Sequence, residues 1–352
     1  MKKMKNGAIL RFITVCICCT VILIYNFLAL FDNFKINSEE NLKTDITPQE
    51  KEIEIIEKEV NYEIKKETQP KQNETEKREE TASVAVSAEA IKGKILTKYI
   101  SPYNAPLSYD KVYMKNNTDL KIDIKTLLKD KINFKIEKNN SPQVLILHTH
   151  ATESFFIQNT DYYTEKYNSR SKNNENNMIA VGAVVAQKLN ESGIKTLHDK
   201  TLHDYPNYTG SYSRSAKTVK SYLKKYPSIK VVLDLHRDAV TAENSDKVKL
   251  VTKINQKNAA QVMLVMGSQS GSIKDFPKWR ENLKLALRVQ QGLEKKYPTL
   301  ARPLILNSKK YNQNLTTGSL LLEFGTDANS LDEAIYSAEL VGNVLAELLG
   351  NI

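Results

Sequence analysis

From position 142 onward short apolar runs alternate with amphipathic stretches, and that alternation leaves the chain few folds to choose from. Residues 143–147 (QVLIL) read as a buried strand, 178–189 carry apolar residues at helical spacing, and 193–197 open the next strand. The order continues with a helix over 213–226, strands over 229–235 (IKVVLDL), 247–254 and 261–265, and a long helix over 277–297. A last buried strand, 319–324 (SLLLEF), precedes a helix from about 331 to 349, where Ser330 and Glu333 have the spacing of a capping box. Alternating βα units of this kind predict an α/β domain with a mostly parallel sheet flanked by helices on both faces.

The predicted organisation has four parts. Residues 12–31 form a 20-residue stretch without a charge, long enough to span a bilayer as one helix. Lys2, Lys3, Lys5 and Arg11 precede it and Asp32 follows it, so the positive-inside rule puts the N-terminus in the cytoplasm and the rest across the membrane. The alternative, a cleaved signal peptide, fits less well, because the apolar core is too long and no small-x-small site follows it. Residues 1–31 are therefore read as a cytoplasmic tip and transmembrane anchor. Residues 32–92, rich in Glu and Lys and nearly without large apolar side chains after Tyr62, read as a charged, disordered linker. Residues 93–140 mix strand-like pieces (KILTKYI, LKIDIK, INFKIEK) with turn signals and read as a small lead-in to the 141–352 α/β domain.

Composition narrows the chemistry. Cys16, Cys18 and Cys19 all lie in the anchor, so the rest of the chain has no disulfide framework, thiolate nucleophile or Cys-ligated metal. The net charge of +10 divides into +4 for residues 1–31, −6 for 32–92 and +12 for 93–352. A strongly basic folded part attracts anionic polymers. Nucleic acid is set aside as a partner, since the basic residues are dispersed and the domain is expected outside the membrane.

The five histidines, His148, His150, His198, His203 and His236, crowd into 89 consecutive residues. Ligands of open α/β sheets bind beyond the carboxyl ends of the strands. There His148 and His150 follow VLIL, His236 follows VVLDL and Glu323 ends SLLL. His150-Ala-Thr-Glu153 has the H-x-x-E spacing that turns an imidazole and a carboxylate towards one metal ion, and His236 completes a set of two His and one Glu. One catalytic Zn2+ suits such a set, which leaves a coordination position open for a water of lowered pKa. Glu323, from another strand end, is the expected general base. Two choices stay open: His148 competes with His150 as ligand or supports it from behind, and Glu175 competes with Glu153 as the third ligand. Arg237, Asp238 and Arg214 are candidates for orienting substrate. His198 and His203 read as surface or substrate-loop histidines.

Four ordered blocks carry a resemblance: VLILHTHATESF (144–155), GIKTLHD followed by YTGSYSRS, VVLDLHRDAV (231–240) and LLLEFGTDANSLDEA (320–334). Over roughly residues 93–352 the chain resembles the stage II sporulation protein P family. The resemblance implies a zinc amidase/carboxypeptidase-like fold and a membrane-anchored peptidoglycan hydrolase, with N-acetylmuramoyl-L-alanine amidase and endopeptidase activity in forespore engulfment. It also implies the membrane-bound stage II sporulation proteins D and M as partners, and the mother-cell membrane at the sporulation septum as location. Within the blocks His150 and His236 correspond to functional histidines and Glu323 to the functional glutamate, whereas Glu153 rests on spacing. Two rival readings are a dinuclear-metal phosphoesterase, for which H-x-H at a strand end is a start, and a non-catalytic, membrane-anchored wall-binding scaffold.

Overall fold

A computed structural model describes residues 91–352; the expected anchor, and the expected linker up to residue 90, lie outside the described residues. Among the described residues no helix is long and apolar enough to cross a membrane. In chain order the elements are β1 (Ile91–Lys98), β2 (Leu107–Tyr109), β3 (Val112–Asn116), α1 (Ile124–Lys129), β4 (Val144–Leu147), β5 (Tyr162–Thr164) and α2 (Met178–Glu191). There follow β6 (Thr196–His198), α3 (Ser211–Lys225), β7 (Val231–Asp238), β8 (Lys247–Ile254), β9 (Lys257–Ala260) and β10 (Val262–Gly267). The last are α4 (Trp279–Lys296), β11 (Leu304–Asn307), β12 (Ser319–Thr326) and α5 (Leu331–Gly350).

Eight strands form the main sheet in the order β2-β3-β11-β10-β12-β7-β4-β6. Every neighbouring pair is parallel except β2–β3 and β10–β12, so the mostly parallel α/β sheet is observed. Strand alternation sorts its residues between two faces. Val144 and Ile146 of β4, Val231, Leu233 and Leu235 of β7, and Leu320, Leu322 and Phe324 of β12 join one large core with α2, α4 and α5. The intervening residues point the other way, where Leu145, Leu147 and Val232 pack with Val219 of α3. A second sheet, β5-β1-β8-β9, takes in β8, which the sequence pattern leaves unassigned to either sheet.

The capping box is present: the Ser330 side chain accepts from Glu333 N, and the Glu333 side chain accepts from Ser330 N. The lead-in differs from its strand-like reading. LKIDIK is no strand, because the Asp123 side chain caps Thr126 N and starts α1, whose Ile124 and Leu127 are buried three residues apart. INFKIEK forms no strand either. Instead β2 and β3 make a hairpin at the edge of the main sheet, turning through Asp110 and Lys111, both at positive φ. An Asp-Lys pair without glycine gives little turn signal. β1 begins at Ile91, so the last two residues of the expected linker, 91 and 92, belong to a strand.

Candidate active site

Three neighbouring strands of the main sheet supply the site. Parallel pairing of β7 with β12 sets His236 beside Glu323, and both belong to the face opposite the large core. Met263 of β10 is the partner of Glu323 on its other side. β4 ends at Leu147, and the chain then turns through residues 149–152 before Glu153 forms an isolated bridge with Arg170. That turn brings His150 and Glu153 over the end of β7. His150, Glu153, His236 and Glu323, with Tyr212 of α3 and Asp238, line one cavity of about 30 Å³.

The geometry is close. The His150 and His236 rings meet edge to face at 5.2 Å between centroids. Glu153 Oε2 accepts from Arg237 N at 3.2 Å and lies 3.6 Å from His236 Nδ1. Asp234, on the same face of β7 as His236, accepts from Thr149 N at 2.8 Å and from Thr149 Oγ1 at 2.6 Å. Its Oδ1 is 3.0 Å from His236 Nε2, near enough for charge attraction, yet not aligned as a hydrogen bond. Tyr208 stacks on His150 at 4.4 Å, and Tyr212 meets it edge-on at 5.6 Å.

The electrostatics follow from enclosure. Burial pulls the His150 pKa down to about 3, so the ring is neutral and offers a lone pair. Burial also acts on His236, but the Asp234 and Glu153 carboxylates outweigh it and raise its pKa. Burial opposes ionisation of Glu153 as well, and there the His236 imidazole prevails and lowers the pKa. Glu323 is part-exposed as a residue, yet its Oε2 is enclosed. Desolvation there, with the nearby charges of Asp238 and Glu153, pushes its pKa up to about 8 against the pull of His236 and Arg302.

A metal is tested by what these atoms lack. Among the described residues no group of three or more His, Cys, Asp or Glu side chains is placed so as to hold a metal ion. Both ring nitrogens of His150, Nε2 of His236, Oε2 of Glu323 and the Tyr212 hydroxyl are nevertheless enclosed without a hydrogen-bond partner. Enclosed polar atoms are rarely left so, and a group of them around one cavity calls for a bound species. Nitrogen and carboxylate donors without sulfur suit Zn2+. His150, Glu153 and His236 would hold it.

The structure places the other candidate residues away from the centre of the cavity or among its supports. His148 does not share the cavity: its Nδ1 is 2.9 Å from Leu235 O and its Nε2 2.9 Å from His198 Nε2. Because β4 has ended at Leu147, the two-residue spacing no longer puts His148 and His150 on one side. Glu175 is exposed in the turn before α2 and is not among the residues lining the cavity. The Arg214 guanidinium holds the carbonyls of His203, Asn207 and Thr209 and thereby shapes the loop before α3. Arg237 lines the cavity, but its guanidinium donates to the carbonyls of Ser154, Ser169 and Asp238. Asp238 Oδ2 pairs with Arg302 Nη1 at 2.8 Å. Arg237 and Asp238 thus belong to the cavity's walls, and Arg214 to the loop before α3. His203 is buried, with Nδ1 2.9 Å from His148 O and Nε2 2.9 Å from Thr218 Oγ1, and His198 is half-buried.

Sequence reasoning passed over Asp234, Tyr208, Tyr212, Arg170 and Arg302. Asp234 carried a signal, a carboxylate two residues before His236 inside an apolar strand. The others lie in helix or loop segments whose distance from the cavity only the fold closes.

Comparison with known proteins gives a family and several structural likenesses. The profile described as stage II sporulation protein P matches residues 23–346. Stage II sporulation protein P of Bacillus subtilis (strain 168) is 31% identical over 216 residues, covering 58% of this chain and 50% of that protein, so the chain spans about half the length of this curated relative. Among solved structures, N-acetylmuramoyl-L-alanine amidase AmiC2 of Nostoc punctiforme is similar at 12% identity and TM-score 0.35, covering 61% of this chain and 99% of that one. The CwlD amidase from Clostridioides difficile, in complex with the GerS lipoprotein, is similar at 12% identity and TM-score 0.36, covering 58% and 96%. The catalytic domain of CwlV, N-acetylmuramoyl-L-alanine amidase from Bacillus (Paenibacillus) polymyxa var. colistinus, is similar at 11% identity and TM-score 0.35, covering 59% and 98%.

Proposed function

The chain belongs to the stage II sporulation protein P family, and from that premise we propose that it is a zinc-dependent peptidoglycan hydrolase of the sporulating cell. The reaction is that of an N-acetylmuramoyl-L-alanine amidase, with endopeptidase activity on the stem peptides. Residues 12–31 anchor it in the mother-cell membrane at the septum, residues 32–92 tether it, and the stage II sporulation proteins D and M assemble with it in engulfment. The observation that carries the reading is the pairing of His236 with Glu323 on adjacent strands, beneath His150 and Glu153, around enclosed atoms without partners.

Zn2+ held by His150, Glu153 and His236 would supply a polarised water and a Lewis acid for the scissile carbonyl. The chain's own part is proton handling and orientation. Glu323, with its pKa raised to about 8, binds and releases a proton near neutral pH, as a group must that takes one from water and gives it to a leaving nitrogen. Asp234, fixed by both bonds from Thr149, keeps the His236 ring in place. Arg237 N fixes one oxygen of Glu153 and so sets the direction of the other.

The test is digestion of purified sacculi by the full-length protein, with products identified by mass spectrometry, with and without a chelator. Free stem peptides that disappear with chelator and return with zinc are expected. A protein that binds sacculi and releases nothing at any zinc concentration is a scaffold, and the reading fails. His150→Ala and His236→Ala are each expected to lose bound zinc by elemental analysis; unchanged zinc would show the ligand set to be wrong.

A further inference from the structure

The enclosed polar atoms around the cavity do not all have a task. His150, Glu153 and His236 would take the metal and Glu323 the proton. That leaves the hydroxyl of Tyr212, which lines the same cavity, is only 3% exposed and has no hydrogen-bond partner. An enclosed hydroxyl is costly to leave so, and beside a reacting centre it points to an acceptor that arrives with the substrate.

Its position is fixed before anything binds. Tyr212 stands in the first turn of α3, and its carbonyl accepts from Asn312 Nδ2 at 2.8 Å and from Ser215 Oγ at 3.2 Å. The ring packs with Met263, Val265 and Leu321 of the sheet. It also borders both histidines, edge-on to His150 at 5.6 Å and nearly parallel to His236 at 6.5 Å between centroids. A phenol keeps its proton at neutral pH even in water, where its pKa is about 10. Here burial first, then the Asp234 carboxylate and, more weakly, that of Glu323, push it further up, so the group is a donor.

Other donors at the cavity are committed. Arg237 gives its guanidinium to backbone carbonyls and its N to Glu153, and Tyr311 Oη accepts from Asn307 Nδ2 at 3.1 Å. Arg302, bound to Asp238, does not line the cavity. Hydrolysis of an amide needs such a donor. When water adds to the carbonyl carbon and its proton passes to Glu323, the C=O π pair moves on to oxygen. When the carbon–nitrogen bond breaks and nitrogen takes the proton from Glu323, that pair returns. A fixed donor at this oxygen binds the transition state more strongly than the ground state.

We propose that Tyr212 is a further catalytic residue, whose hydroxyl donates a hydrogen bond to the carbonyl oxygen of the scissile amide as charge gathers there. The proposal rests on the hydrolase reading. Tyr212 keeps its own proton throughout.

The experiment compares wild type with Tyr212→Phe, which removes one oxygen and keeps the ring, as zinc-loaded full-length proteins in detergent. The probes are a soluble muropeptide and its phosphinate analogue, in which tetrahedral phosphorus replaces the scissile carbonyl carbon. In Tyr212→Phe kcat is expected to fall about 10²-fold with KM unchanged. The phosphinate should bind at least about tenfold more weakly, while zinc content and melting temperature stay those of wild type. Unchanged kcat, equal binding of the phosphinate by the two proteins, or zinc lost in step with activity would each overturn the proposal. A wild type that cleaves nothing sinks the hydrolase reading and the donor with it; a wild type that cleaves, with Tyr212→Phe equally fast, sinks the donor alone.

Discussion

The two faces of the main sheet are built by the same strands and differ in almost everything else. On the face covered by α2, α4 and α5, β7 and β12 present Leu233, Leu235, Leu320, Leu322 and Phe324, all closed from solvent. On the face towards α3, the intervening positions of those strands present Asp234, His236 and Glu323. On the first face the strand side chains make dispersion contacts, and the buried polar groups of the helices, such as Asn282, Gln290 and Ser337, are hydrogen-bonded to backbone carbonyls; the other encloses polar atoms that lack partners. The difference teaches that the hydrocarbon face supplies the stability that the polar face spends on holding ionisable groups out of water.

The largest way to break the comparison is on the polar face. Glu323→Gln keeps shape and hydrogen-bonding capacity but removes the proton acceptor, so release of stem peptides from sacculi should fall at least about 10²-fold with zinc content unchanged. Full activity in that variant would take Glu323 out of the chemistry. Next is the opposite face at the neighbouring position: Leu322→Ala should cost about 2–5 kcal/mol in denaturant unfolding by leaving a cavity in the three-helix core. Specific activity per folded molecule should hardly change. If the two substitutions, one residue apart, affected both properties alike, the division between faces would be false.

The period of two made this division legible in the sequence. IKVVLDL followed by His, and SLLL followed by Glu, place a polar group on the face opposite Leu233 and Leu235 in the first and Leu320 and Leu322 in the second once the run is read as a strand. The capping box at Ser330 and the βα alternation were equally readable, because they depend on residues close in the chain. What alternation could not supply was register between strands, and so it was the fold that set His236 against Glu323. Beyond strand ends the reading lost its footing. The turn after Leu147 separates His148 from His150, and the long loop to α2 returns Arg170 to Glu153 while leaving Glu175 outside. Both are matters of loop path, for which a single sequence has no periodic signal.

A smaller effect sharpens the cost of the polar face. In the metal-free protein Glu323 has a pKa raised to about 8, above its value in an unfolded chain. Between the two values the folded state binds the extra proton, so its stability falls as pH rises from about 4.5 to 8. Glu323→Gln removes that loss. Melting curves of metal-stripped protein should therefore show Glu323→Gln gaining on wild type as pH goes from 5 to 8; a constant gap would mean that Glu323 ionises in the folded protein as it does in water.

The smallest expected effect lies at Glu175, and its smallness is informative. Its place before α2 makes it the rival of Glu153 in sequence, yet it is exposed, and its backbone N is engaged by Asn173 Oδ1 in a local turn. An exposed residue of this kind changes stability by less than about 0.5 kcal/mol when truncated. Glu175→Ala should keep zinc affinity, activity and melting temperature within error, whereas Glu153→Ala, which strips a carboxylate from Arg237 N and from beside His236, should lower zinc affinity at least about tenfold. Zinc titration of the two variants side by side decides between the glutamates. Loss of zinc from Glu175→Ala would mean that the loop carrying it folds inward when metal binds, and that the cavity's third donor comes from the side of α2 and not from the end of β4.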